Sequence, residues 1–299
     1  MLHVITVLFN YCEYKIRYKL AKEFIKRYQN FSPNMKLYVV ELAYENQKFQ
    51  VTDKNNPYHL QLRSNTPLWH KENLINVGIN KLLPEDWEYV AWIDCNLEFE
   101  NSDFVEKTIE ALQTSNIVQM YKTMNHPARK DTNSCSHFYY RVNNINERGL
   151  SGGAIACTKF AYQKMGKIYD FGICGGGDDI LIFGLLSLNN LSKTGIMCPE
   201  YINDINNYII NLKDLKIGYV DTDVIYFKHG DIKNRKYQSR NNILYKYKYN
   251  PLKDIKYDEN GVLILLNKNI LNDIKIYFRN RNEDNIDIKN YKYKRNLRK

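Results

Sequence analysis

The chain has 299 residues, 44% of them hydrophobic and 25% charged, which suits one α/β domain with an appendage and excludes a disordered polar chain. The net charge of +10 admits phosphate-rich partners, either nucleic acid or a small polyanionic ligand, but much of the excess sits in the run Lys289–Lys299. Six cysteines without a CxxC pair read as reduced thiols, no segment reaches the roughly 20 apolar residues of a membrane span, and the start shows no signal layout, so a cytoplasmic protein is expected.

His3–Phe9 is a β-branched apolar run and predicts a buried first strand. Ile16, Leu20, Ala21, Phe24, Ile25 and Tyr28 fall on one face of a helix, Pro33-Asn34 ends it, and Leu37–Glu41 forms the second strand. Strand, helix, strand at this spacing predicts a βαβ unit and a parallel sheet. A polar loop through Pro57 and Pro67 follows, then a helix over Lys71–Leu83 in which Gly78 allows close approach to the sheet. Tyr89–Ile93 is a third strand that delivers Asp94 at its end. Asp103 to Glu106 reads as a capping box opening a helix, with a strand at Ile117–Met120 behind it.

Residues 122–149 have weak periodicity and read as a long loop. Regular patterning resumes at Gly152–Ala156, and Gly175–Gly177 turns into an apolar helix over Asp178–Leu188. Two short strands, Ile217–Val220 and Val224–Phe227, end at His229-Gly230. The domain is expected to close at residue 245, with 246–299 a small strand-and-helix appendage carrying a basic tail.

Four constellations carry candidate chemistry. Asp94 leaves the carboxyl end of a buried strand, where open α/β sheets bind ligands and where a hard cation on a diphosphate needs oxygen; an acid there also opens turns. Asp178 and Asp179 follow three glycines at a helix start, a place the helix dipole favours for acids and from which a carboxylate can take a proton from a hydroxyl. His229 at a strand end can ligate a metal or serve as a structural histidine, and Lys233, Arg235 and Arg240 behind it can hold a pyrophosphate. Lys71 at its helix start can reach a phosphate or remain solvated.

Taken in order, Trp69-x-Lys71-Glu72-Asn73…Asn76-x-Gly78, Ala91-Trp92-Ile93-Asp94-x-Asn96, Gly152-Gly153, Gly175-Gly176-Gly177-Asp178 and His229-Gly230…Arg235-x-Tyr237-x-x-Arg240 resemble family-2-like glycosyltransferases of the GT-A fold. The layout is similar to that of the β-1,4-galactosyltransferases and covers residues 3 to 245. The resemblance implies a single Rossmann-like mixed sheet flanked by helices, and inverting, metal-dependent transfer of a sugar from a nucleotide-diphosphate donor (UDP-sugar favoured) to a glycan or other hydroxyl acceptor. Asp94, Asn96 and His229 would hold Mn²⁺ or Mg²⁺; Lys71, Asp94, Gly153, Lys233, Arg235 and Arg240 would bind the donor; Asp178, supported by Asp179, would be the base. Asn96 stands where these enzymes have an acid, and Cys174 where the galactosyltransferases have a tryptophan. The alternatives are an inactive nucleotide-sugar-binding protein and, further off, a basic nucleic-acid-binding protein.

Overall fold

A computed structural model describes residues 1–126, 134–188, 198–237 and 239–285. The chain runs β1 (Leu2–Phe9), α1 (Lys15–Tyr28), β2 (Met35–Tyr44), β3 (His59–Ser64), α2 (Lys71–Leu82), β4 (Tyr89–Ile93), β5 (Leu97–Phe99), α3 (Phe104–Thr114) and β6 (Ile117–Gln119). It continues through β7 (Thr123–Asn125), β8 (Ser134–Cys135), α4 (His137–Val142), β9 (Ala154–Thr158), α5 (Lys159–Met165), α6 (Gly177–Leu185) and α7 (Pro199–Asn211). The last elements are β10 (Ile217–Tyr219), β11 (Asp223–Tyr226), a 3-10 turn over Ile232–Arg235, α8 (Asn242–Lys246), α9 (Pro251–Asp254), β12 (Ile255–Tyr257), β13 (Leu263–Leu265) and α10 (Lys268–Asn280).

The central sheet has the order β10-β6-β9-β4-β1-β2-β3, and β9 alone runs antiparallel to its two neighbours. This is the Rossmann-like mixed sheet flanked by helices that the motifs imply. Alternation along β1 explains the layering. Leu2 and Val4 pack with Phe24 and Tyr28 of α1 and Phe104 of α3, while Ile5 and Phe9 pack with Leu74, Ile75 and Ile79 of α2. At Gly78 a Cβ would stand 2.9 Å from Val40 Cγ2 and 3.2 Å from Ile5 Cγ2, so the glycine lets α2 lie directly on the sheet.

A second sheet, β5-β11-β7-β8, stands at the carboxyl end of β4. It includes part of the 122–149 stretch expected as loop, which also holds α4; these strands are too short for an alternation to register in the sequence. β3 likewise lies in the stretch expected as polar loop, because it is an edge strand with little apolar content (His59–Ser64). The expected capping box is not formed. Asp103 lacks the extended backbone of a capping residue and makes no side-chain cap bond; its carboxylate pairs with Lys107 at 3.0 Å instead, and Glu106 accepts from Ser32.

Beyond residue 245, Val262, Leu263, Ile270, Ile274 and Phe278 belong to the same buried cluster as α2. His70 Nε2 meets the Leu263 carbonyl at 3.0 Å, and Asn73 bonds both the Gly261 carbonyl and the Leu263 amide. The tail from residue 286, including the basic run, lies outside the described residues. All six cysteines are free, and among the described residues no helix is long and apolar enough to cross a membrane.

Candidate active site

The carboxyl ends of β1 and β4, the first turns of α2 and α6, and the segment after β11 enclose a cavity of about 510 Å³. Its floor is an ionic cluster. Lys71, in the first turn of α2, places Nζ 2.8 Å from Oδ1 of Asp94 and 2.9 Å from Oδ2 of Asp178. Burial would lower the Lys71 pKa, but Asp178, Asp94 and Glu72 outweigh it and hold the ammonium well above its ordinary range. Glu72 is buried beside the same charges; burial, then the negative charge of Asp178, pushes its carboxyl up to about 8.

Glycines make this convergence possible. A Cβ on Gly152 would lie 2.4 Å from Asp178 Oδ2, and one on Gly177 would lie 2.5 Å from Glu72 Cδ. The Asp94 amide donates to the Gly153 carbonyl at 2.8 Å, which ties the end of β4 to the start of β9. Gly175 and Gly176 both have positive φ and turn the chain against protein: a Cβ on Gly175 would stand 2.9 Å from Arg240 Nη1 and 3.2 Å from Trp69 Cδ2. The triple glycine thus seats Arg240, Trp69 and Glu72.

The opposite wall comes from the chain after β11. Asn96 and Phe227 are joined twice, Phe227 N donating to the Asn96 carbonyl at 2.8 Å and Asn96 Nδ2 donating to the Phe227 carbonyl at 3.2 Å. His229, two residues on, sits against Glu283 with Nδ1 2.6 Å from Oε2. Burial pushes the His229 pKa down to about 4 against the raising effect of Glu283, so the ring is neutral near pH 7. Burial alone would raise Glu283, but Arg17, His229 and Arg281 together hold it well below the carboxylate range. Arg281 Nε donates to Glu283 Oε1 at 2.5 Å, and its guanidinium lies 5.3 Å from the Trp69 ring centroid.

Several residues around the cavity carry a buried donor without a partner. Among the described residues six buried side-chain polar atoms have no hydrogen-bond partner, and four of them belong to this wall: Trp69 Nε1, the Tyr226 hydroxyl, Arg235 Nε and Arg240 Nε. Buried donors are normally satisfied, so four such atoms on residues around one cavity stand out. A second, open hollow of about 710 Å³ lies at the carboxyl ends of β1 and β2, lined by Tyr11, Cys12, Glu45 and Arg279 among others.

Of the residues singled out from sequence, Lys71, Asp94, Asn96, Gly153, Asp178, Asp179, His229, Arg235 and Arg240 all line the one cavity. Asp179 is exposed at its rim. Lys233 is not brought in: its side chain is 81% exposed, with Nζ 3.9 Å from Asp231 Oδ2. Sequence reasoning missed Glu72 as a member of the ionic cluster, and missed Arg281 and Glu283 altogether. These last two follow α10 in a run of polar residues, with no pattern to set them apart from the tail.

No known family profile matches the chain, and no curated protein does. Solved structures similar to it include a mutant of Drosophila β-1,4-galactosyltransferase 7 in complex with manganese, UDP-Gal and xylobiose, at 12% identity and a TM-score of 0.38, covering 100% of this chain and 79% of that one. The catalytic domain of the same Drosophila enzyme with xylobiose matches at 12% identity and a TM-score of 0.40, over 91% of this chain and 98% of that one. Residues 1–349 of S. aureus TarS in complex with UDP-GlcNAc match at 11% identity and a TM-score of 0.46, over 77% of this chain and 59% of that one.

Proposed function

We propose that the chain is a glycosyltransferase that moves a sugar from a nucleotide-diphosphate donor to an acceptor hydroxyl with inversion. The observation that carries the reading is that one cavity gathers Arg235 and Arg240 with the cluster in which Lys71 joins Asp94 to Asp178, among residues that include four buried donors without a partner. A diphosphate is an anion whose oxygens suit a guanidinium fork, which Arg240 would offer, while Arg235, with Nη1 on the Tyr237 hydroxyl and Nη2 on the His229 carbonyl, would add positive charge. The motif order read from the sequence supports the same chemistry. In the hollow at the ends of β1 and β2, the Tyr11 ring would be the surface for the donor's base.

In this reading Asp178 accepts the proton of the acceptor hydroxyl as that oxygen bonds to the anomeric carbon. The bond from the anomeric carbon to the diphosphate breaks on the opposite face, and the nucleoside diphosphate leaves with the electron pair, its charge met by Arg235 and Arg240. Lys71 keeps Asp178 turned inward and shields it from Asp94.

The donor set fits a divalent ion of modest affinity. Asn96 uses its amide nitrogen on Phe227 and keeps its amide oxygen, while His229 uses Nδ1 on Glu283 and keeps Nε2. With Asp94 they would hold Mn²⁺ or Mg²⁺; among the described residues no group of three His, Cys, Asp or Glu side chains forms a metal cage, so the donor's diphosphate would supply the remaining ligands. When bound, such an ion would offset charge on the leaving diphosphate.

A thermal-shift series with UDP, GDP and their sugars, with and without manganese, tests the reading. Manganese with a nucleoside diphosphate is expected to raise Tm more than either alone. Equal shifts without metal would remove the ion from the proposal, and no shift with any nucleotide would remove the donor.

A further inference from the structure

The C-terminal segment reaches the site from far along the chain and is fastened on several sides. α10 buries Ile270, Ile274, Tyr277 and Phe278 in the core. At its end the Tyr14 hydroxyl contacts the Phe278 and Arg279 carbonyls at 2.8 and 2.9 Å and accepts from the Asn282 amide at 3.0 Å. The Asp284 carboxylate accepts from the Lys15 and Ile16 amides at the start of α1, at 3.0 and 2.9 Å. Tyr277 donates from its hydroxyl to the Arg235 carbonyl at 3.1 Å and accepts from Arg281 Nη1 at 2.9 Å. Between these ties Glu283 is fully buried. Gly230, with φ +68°, allows the approach: a Cβ there would lie 2.9 Å from Glu283 Cα.

The position of Glu283 fixes more than packing. Its carboxylate takes a charged hydrogen bond from Arg281 on Oε1 and lies 3.7 Å from Arg17 on the other oxygen. Clamped between two guanidinium groups it is an acceptor only, so the 2.6 Å contact to His229 requires the proton on Nδ1. The lone pair of the ring then lies on Nε2, and His229 lines the cavity. Carboxylate–histidine pairs of this kind orient metal-binding rings and select their tautomer.

We infer that Glu283 is the positioning residue for His229, holding the Nδ1–H tautomer and turning Nε2 toward the ligand space, so that a segment outside the motif-bearing region completes the site. The metal-binding half of this statement rests on the proposed function; the tautomer half does not.

Side-chain ¹⁵N spectra of the wild-type protein, with the His229 signals assigned by their absence in His229→Ala, test the first half without altering Glu283. A protonated Nδ1 and bare Nε2 are expected, and an Nε2–H tautomer overturns the inference. Manganese titration with UDP saturating tests the second half: Glu283→Gln is expected to weaken binding about 10- to 100-fold, as lost outer partners of metal ligands typically do. Wild-type affinity in Glu283→Gln, with loss in His229→Ala, also overturns it. A wild-type protein that takes neither manganese nor UDP would sink the proposed function, and the tautomer would still decide the role of Glu283.

Discussion

Gly152 and Asp178 are interlocked: the space a side chain would need at residue 152 is filled by the Asp178 carboxylate, 2.4 Å from where a Cβ would stand. The obstructing atom is the tip of a partly exposed side chain, so a methyl group there displaces the carboxylate and leaves the backbone in place. Gly152→Ala is therefore expected to keep the fold and the melting temperature while lowering turnover about 100-fold, the scale of a misplaced reacting group. Transfer assays beside melting curves check it. A large fall in Tm with turnover per folded molecule unchanged would show that the contact is only packing.

Asp178→Asn should lower transfer by about 10²- to 10⁴-fold, the usual share of a general base, with donor affinity nearly unchanged. In the proposed reaction the base acts on the acceptor, and Lys71 keeps its pair with Asp94 in the variant. Calorimetric titration of the donor against the initial rate separates the two effects. Retained turnover would move the base to the neighbouring Asp179.

Glu72 gives a pH signature. Its folded pKa lies near 8, above the ordinary carboxylate value of 4.5, so the folded protein binds the extra proton. Its contribution is full below about pH 4.5 and is lost as pH rises through about 8, where a charge must be carried in the buried cluster. Glu72→Gln is expected to melt higher than wild type at pH 8.5, with the difference shrinking toward pH 5. His70 works in the opposite sense: buried and held near 4, it costs stability as pH falls from 6.5 to 4. A Glu72→Gln melting curve parallel to wild type across the range would refute the assignment.

How much of this was legible in the sequence follows from where each residue's partners lie. Val4, Phe24, Leu74 and Ile75 repeat at strand or helix spacing, so β1, α1, β2, α2 and β4 announce themselves, and with β4 comes Asp94. Gly78 was readable because a glycine inside an apolar helix face asks for a close neighbour, here Val40 and Ile5. β3 was not, since an edge strand of His59–Ser64 buries too little to need an apolar pattern. The capping box failed because a pair of acids three apart fits two geometries, and Lys107 offered Asp103 the better partner. Glu283 was invisible for a deeper reason. Its meaning lies in His229, 54 residues earlier, and in Arg17, far earlier still, and no local spacing encodes such a contact.

The C-terminal helix is expected to carry stability as well as the site. Ile274 is fully buried in the cluster shared with α2, and Ile274→Ala should cost about 2–5 kcal/mol, the range for removing a large aliphatic side chain from a core. Urea unfolding monitored by tryptophan fluorescence, with Trp69 and Trp87 in or beside that cluster, reports it. Two separate transitions, with only the minor one moved by the substitution, would show that residues beyond 245 fold independently.

The ligand set can be tested by changing its two neutral members in opposite directions. His229→Ala removes an imidazole nitrogen, the best donor present for a transition metal, and should weaken manganese binding more than Asn96→Ala removes by taking away a neutral amide oxygen. Asn96→Asp supplies the charged oxygen that the related motif carries and should tighten manganese binding. The structure attaches a cost to that gain. Asn96 Nδ2 donates to the Phe227 carbonyl at 3.2 Å, and a carboxylate would set two acceptors face to face in a buried place. Losing that bond and facing the unmatched oxygens should cost about 1–3 kcal/mol in the metal-free protein. Asn96→Asp is thus expected to melt below wild type without metal and to recover most of the difference when manganese and UDP are added. The two readouts answer different questions: the metal-free Tm reports the Asn96–Phe227 bond, and the manganese titration reports the ligand. If His229→Ala binds manganese as wild type does, the histidine belongs to the Glu283–Arg281 network alone and the ion rests on Asp94. If Asn96→Asp lowers Tm and manganese restores none of it, position 96 serves the backbone just after β11 and takes no part in holding a metal.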